Sequence, residues 1–130
     1  MVSNTMISNG ERVARAFIDA FNAQDHVALA GTLNYPHTRL ANGRFWQVDS
    51  AEQFVAASKG SQARLLEEGW DHTIVSSLKV FHQGLEKEHI AMTNDRCDKD
   101  GSVYNSFDTL WIATLQDGHW GIQFRSSFLK

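Results

Sequence analysis

A chain of 130 residues with 42% hydrophobic and 21% charged residues has the make-up of a folded globule with one core, which excludes a disordered or membrane-embedded chain. Its formal net charge of −3, with no run of like charges, supplies no basic footprint for nucleic acid or an anionic lipid surface. The lone cysteine, Cys97, excludes an intrachain disulfide and a cysteine-rich zinc site.

Met1 to Gly10 holds neither a charged segment nor a continuous apolar one, so it does not read as a secretory signal. Nowhere does an apolar run reach the roughly 18 residues of a membrane helix. The expectation is a cytoplasmic protein with residues 1–9 as a flexible N-terminus and 10–130 as one domain.

From Glu11, the apolar residues Val13, Ala14, Phe17, Ile18 and Phe21 recur at intervals of three and four, the mark of one buried helix face. The polar stretch Asn22 to Asp25 breaks this helix, and Asp25 is placed to cap a short second one over His26–Leu33. Tyr35 to Leu40 carries the only proline, Pro36, which suits a strand start or an edge strand rather than a central one. Asn42-Gly43 is a two-residue hairpin turn, and Arg44 to Val48 is the returning strand. Asp49 or Ser50 caps a third helix. Its buried side holds Phe54, Val55, Ala57, Ser58, Leu65 and Leu66, with Gly60 as a point of interruption. Four strands follow over 70–82, 88–97, 102–115 and 119–129, split at Gln83-Gly84, Asp98 to Gly101 and Gln116 to Gly118. The order ααββαββββ describes an α+β domain in which a cone-shaped, curved antiparallel sheet packs on the N-terminal helices.

Taking Asp117-Gly118 as a turn pairs Leu115 with Trp120, Ala113 with Ile122, Trp111 with Phe124 and Phe107 with Phe128, all apolar and all on one face. The other face then carries Thr114, Ile112, Gln123, Leu110, Arg125, Asp108 and Ser127, and a one-residue slip would bury Gln123 and Arg125. Through the Asp98 to Gly101 turn, Ile90 comes beside Trp111, Met92 beside Thr109, Asn94 beside Phe107 and Arg96 beside Asn105. The inner face is therefore apolar at one end and polar at the other. There Asn94, Arg96, Asn105, Thr109 and Ser126 gather as at a pocket mouth. The outer face is half apolar, with Leu110 and Ile112 among Ala91, Thr93 and Tyr104. It reads as a homodimer interface with Asp108 and Arg125 placed for an ion pair, against the plainer reading of a tolerant solvated face.

Tyr35, His37 and Arg39 alternate, so a strand turns all three the same way. His37 is then a candidate base near neutral pH with Arg39 holding a carboxylate, or else a hydrogen-bonded group at a rim. His72 shares a face with Trp70, Ile74, Leu78 and Val80, as a pocket catalyst or a satisfied core histidine; Asp71 falls opposite and makes no dyad with it. Arg96 is the most anion-friendly group, able to clamp a carboxylate or to pair with Asp98 or Glu68. Trp46, Trp70, Trp111 and Trp120 read as core and cone wall, with one or two facing a flat ligand. His37, His72, His82, His89 and His119 lack metal-binding spacings, and Ser126-Ser127 lacks nucleophile-elbow glycines. Neither a metal nor a cofactor is expected.

Two segments, Ala16 to Asp25 and Asp117 to Ile122, resemble the helix break and the closing hairpin of the nuclear-transport-factor-two-like superfamily, in particular its SnoaL-like, ketosteroid-isomerase-type bacterial members. In element order the resemblance extends over nearly the whole chain. It implies a cone-shaped barrel with a pocket and a dimer through the sheet, on a fold that hosts isomerases, cyclases, dehydratases, hydrolases and binding modules. The isomerases use a tyrosine on the first helix and a carboxylate after the second. The matching positions here are Phe17 and either Leu40 or Ala41, none of which exchanges a proton.

Two functional readings follow. One is a small-molecule-binding domain for a small, partly apolar organic ligand, anions included, with Tyr35, His37, Trp46, Trp70, His72, Asn94, Arg96, Asn105, Trp111 and Ser126 as its lining. The other is a cofactor-independent acid–base enzyme of isomerase, cyclase or dehydratase type, in which His37 or His72 moves the proton and Arg96 holds the charge.

Overall fold

The computed structural model describes residues 6–129; Met1 to Thr5, most of the expected flexible N-terminus, and Lys130 lie outside the described residues. The elements run α1 (Asn9–Ala23), α2 (His26–Gly31), β1 (Leu33–Ala41), β2 (Arg44–Val48), α3 (Ala51–Glu67), β3 (His72–Gln83), β4 (Lys87–Cys97), β5 (Val103–Gln116) and β6 (His119–Ser127). That is the expected α+β order. The six strands form one sheet in the order β2-β1-β6-β5-β4-β3. Every neighbouring pair is antiparallel except β1 and β6, which run parallel. The sheet curves around α1, which packs against β3, β4, β5 and β6 alike.

Local chemistry sets the helix ends. The Ser8 hydroxyl accepts from Glu11 N at 3.1 Å and starts α1 two residues before the apolar stripe suggests. The stripe buries Ala14, Phe17 and Ile18, worth roughly 1.5–3 kcal/mol for each large side chain. Asp25 caps α2 as expected, accepting from Ala28 N at 3.1 Å. This helix stops at Gly31, because Leu33 already belongs to β1. Ser50 caps α3 by accepting from Gln53 N, while Gln53 Oε1 accepts from Asp49 N at 2.7 Å. The helix runs unbroken through Gly60, and Phe54 and Leu65 are buried. Leu66, expected on the buried side, is exposed.

Two glycines mark close approaches. A Cβ on Gly121 would meet Leu33 C at 2.7 Å and Asn34 N at 2.8 Å, so only glycine lets β6 come this near the start of β1. A Cβ on Gly10 would collide with Glu88 Oε1. That buried carboxylate accepts from Gly10 N at 3.1 Å and so ties the positive end of α1 to β4.

Pro36 lies in an interior strand but ahead of the β1–β2 ladder, which begins at His37. β1 is flanked by β2 and β6, and the proline is tolerated because the ladder to β6 skips from Leu33 to Thr38, leaving no bond that its nitrogen would have to donate. The β4–β5 register is the one the turn predicts, with Ile90 opposite Trp111 and Arg96 opposite Asn105. Extra residues elsewhere shift the phase. Ser76 and Phe81 are unpaired in β3, Tyr104 in β5 and Gln123 in β6.

Candidate functional site

The extra residue at Gln123 decides what faces the inside of the cone. Leu115 pairs with Trp120 and Ala113 with Ile122, as expected, but Ile112 then pairs with Phe124 and Trp111 with Arg125. Beyond the bulge, Arg125 and Ser127 turn inward in place of Phe124 and Ser126. The expected Asp108–Arg125 ion pair is therefore absent. Asp108 instead accepts from the Thr93 hydroxyl at 2.8 Å. Tyr104, the extra residue of β5, leaves the outer face as well and donates its hydroxyl to Glu68 at the end of α3. Leu110 stays exposed on the outer face, and Ile112 is half-buried.

A small cavity lies between α1 and the inner wall of the sheet. Its lining is Phe17, Ile18, Phe21, Arg39, Thr73, Asn94, Arg96, Phe107, Trp111, Arg125 and Ser127. About 40 Å³ of it is open to the centre of a water molecule. That is the space of a few water-sized groups. Four aromatic rings form the apolar part, and Phe17 packs edge-on against Trp111 with ring centroids 4.8 Å apart.

The polar part is dominated by guanidinium groups. Arg39 on β1 and Arg125 on β6 are direct cross-strand partners, a placement that is repulsive for like charges. Neither forms an ion pair among the described residues. Arg39 Nε is buried without a hydrogen-bond partner. Burial, Arg96 and Arg64 push the Arg39 guanidinium below its ordinary range; burial, Arg39 and Arg96 do the same to Arg125. The third guanidinium, Arg96, is compensated, since its Nη1 donates to Glu68 at 2.8 Å. Of the two partners foreseen for it, Glu68 is the one used.

His37 holds Arg125 in place. Its Nδ1–H donates to Ile122 O at 3.0 Å, which leaves Nε2 to accept from Arg125 Nε at 3.1 Å. The Arg125 guanidinium then lies 4.8 Å over the Phe17 ring. Burial, with Arg125 and Arg39 close by, brings the His37 pKa down to about 3. At neutral pH His37 is a fixed, uncharged acceptor and not the base that its spacing from Arg39 suggests.

His72 is not in the cavity. Ser76 reverses the phase of β3, so Thr73 and Val75 face inward before the bulge and Leu78 and Val80 after it. Ile74, expected inside, is exposed. His72 turns away and its Nδ1 bonds Asp71 Oδ2 at 2.8 Å, a contact expected not to form. It forms because Asp71 precedes the strand and is free of its alternation. Thr73 takes the inner position, accepting from Trp70 Nε1 at 2.9 Å and giving its N–H to Asn22 Oδ1.

The other expected lining residues divide. Asn94, Arg96 and Trp111 line the cavity. Trp70 stands behind it, edge-on to Phe21. Trp46 packs on Phe54, away from the cavity. The Tyr35 hydroxyl donates to Ala30 O at 2.8 Å, and burial raises its pKa to about 12. Asn105 and Ser126 lie outside the lining. Arg125, Ser127 and Thr73 are the cavity residues that alternation misplaced, while Phe17, Ile18 and Phe21 reach the cavity from the apolar stripe of α1. Arg39 was within reach of sequence reasoning, through its spacing from His37.

Comparison with known proteins places this architecture. A model of the family described as NTF2-like protein (DUF6841) matches residues 11–124. The chain belongs to the NTF2-like family. Among curated proteins none matches it in sequence. Solved structures share the fold at low identity. An NTF2-like protein with a cystatin-like fold from Novosphingobium aromaticivorans superposes with a TM-score of 0.69 at 14% identity, over 91% of this chain and 77% of that one. An NTF-2 like protein of unknown function from Shewanella oneidensis gives 0.67 at 15%, over 91% and 94%. A ketosteroid isomerase-like protein from Erwinia carotovora atroseptica gives 0.65 at 16%, over 98% of each chain. At such identities the likeness is one of fold. In this NTF2-like chain, no helix among the described residues is long and apolar enough to cross a membrane.

Proposed function

We propose that this NTF2-like chain binds a small organic anion with a flat apolar body in the cavity of the cone. The observation that carries the reading is the Arg39–Arg125 pair, two arginines at directly opposed positions of β1 and β6 with no ion-pair partner for either among the described residues. A bound carboxylate would relieve both the repulsion and the unpartnered Arg39 Nε. The apolar body would lie against Phe17, Phe21, Phe107 and Trp111.

Acid–base catalysis by a pocket histidine has less support. His37 is held neutral as an acceptor for Arg125, and His72 lies outside the lining. Phe17 stands on α1 at the position that the resemblance matches to the isomerase tyrosine.

Calorimetric titration with phenylacetate and with uncharged phenylacetamide tests the reading. The acid should bind at least about tenfold more tightly than the amide, and Arg39→Gln should remove most of that preference. Equal binding of acid and amide, or no binding of either, would overturn it.

A further inference from the structure

We propose that the anion taken by this cavity also carries a hydrogen-bond donor, a hydroxyl or an N–H, that meets Asn94; this rests on the anion reading above. Asn94 is 3% exposed and lines the cavity, and its Oδ1 is buried with no hydrogen-bond partner. Leaving such an acceptor unpaired is costly, and natural interiors seldom do so without a reason.

Among the described residues none of the groups around Asn94 donates to its Oδ1. Its cross-strand neighbours are Val75 and Phe107, which offer no side-chain donor. The indole N–H of Trp111 goes to Thr109 Oγ1 at 2.9 Å, and that of Trp70 to Thr73 Oγ1. The Ser127 hydroxyl is engaged with Thr109 Oγ1 at 2.7 Å. Arg96 Nη1 is held by Glu68. Arg39 does have a free donor, but β6 and β5 separate its strand from that of Asn94 in the sheet.

Two residues of the cavity lining thus carry an unmet donor on β1 and an unmet acceptor on β4. A simple carboxylate satisfies only the first. An acid bearing a hydroxyl or N–H satisfies both, and its parent without that group leaves Asn94 Oδ1 unpaired. Sites of this kind discriminate strongly, because the penalty falls on the ligand that lacks the donor. The ligand class is therefore a hydroxylated or N–H-bearing acid with a flat apolar body.

The test compares phenylacetate with mandelate and with 2-, 3- and 4-hydroxyphenylacetate by calorimetry, on the full chain and on Asn94→Leu, with Asn94→Ala as a second variant should the first lower Tm sharply. At least one hydroxylated acid should bind about tenfold or more tightly than phenylacetate. The Asn94 variants should erase that gain, so that the hydroxylated acid and phenylacetate bind them alike. If no hydroxylated acid gains over phenylacetate, as when water already satisfies Asn94, the inference fails and the anion reading stands. The same holds if the gain survives in the variants. If none of the acids binds, both fail together.

Discussion

Arg125 Nε donates to His37 Nε2 at 3.1 Å, so the one fully buried histidine of the sheet acts as a hydrogen-bond acceptor for a cavity arginine. The other ring nitrogen is committed to Ile122 O. Protonating His37 would break the contact and set a third positive charge beside Arg39 and Arg125.

This arrangement has a pH signature. The folded-state pKa of His37 is about 3 against an ordinary 6.5. On acidification the unfolded chain takes up a proton that the folded chain refuses. The contribution of His37 to stability is complete above about pH 6.5 and is lost as the pH falls toward about 3. Urea unfolding of the wild type and of His37→Gln between pH 7 and 4.5 should show the wild type losing its advantage on acidification. Parallel pH profiles for the two proteins would contradict the assignment.

The approach of β6 to β1 sets a second expectation. Alanine at Gly121 would place its Cβ 2.7 Å from the Leu33 carbonyl carbon, against backbone that cannot yield locally. It would also disturb Asn34, whose Nδ2 donates to Thr114 O at 2.8 Å and whose Oδ1 bonds His119 Nδ1 at 2.7 Å. Gly121→Ala should cost about 1–3 kcal/mol or more of stability, read as a fall in urea midpoint.

Gly10 and Glu88 form a coupled pair. Glu88→Ala leaves Gly10 N without its acceptor and removes a carboxylate from the start of α1, for a loss of about 2 kcal/mol. Gly10→Ala should destabilise the wild type, because its Cβ collides with Glu88 Oε1, yet cost less once Glu88 is alanine. A double-mutant cycle that came out additive would break this account.

The outer sheet face keeps Leu110 exposed beside half-buried Ile112, while Arg125 turns inward to His37. If two copies pair through that face, Leu110→Arg should shift sedimentation from dimer to monomer at micromolar concentration. A wild type that already sediments as a monomer would remove the interface from consideration.

The fold was readable because its signals are local and repeated. Ser50, Asp25 and the Asn42-Gly43 turn act where they stand, and the Asp98 to Gly101 turn propagates one register along β4 and β5. The site was less readable because Ser76 and Gln123 each insert one residue into a strand. Each insertion inverts inside and outside for the stretch of strand that follows it. Nothing in the hydrophobic pattern announces them. Past Gln123 the pattern misleads, since Phe124 alternates well with the core while Arg125 is the residue that turns in. Apolar alternation follows burial energy, and a cavity wall that gathers unneutralised arginines departs from it.

The most direct measurement is a crystal structure of the protein with phenylacetate. The account predicts the ring against Phe17 and Trp111, with a carboxylate oxygen about 2.7–3.2 Å from Arg39 Nε and a second hydrogen bond to Arg125. A ligand whose carboxylate points to solvent, or one bound outside the cone while Arg39 and Arg125 stay bare, would contradict it.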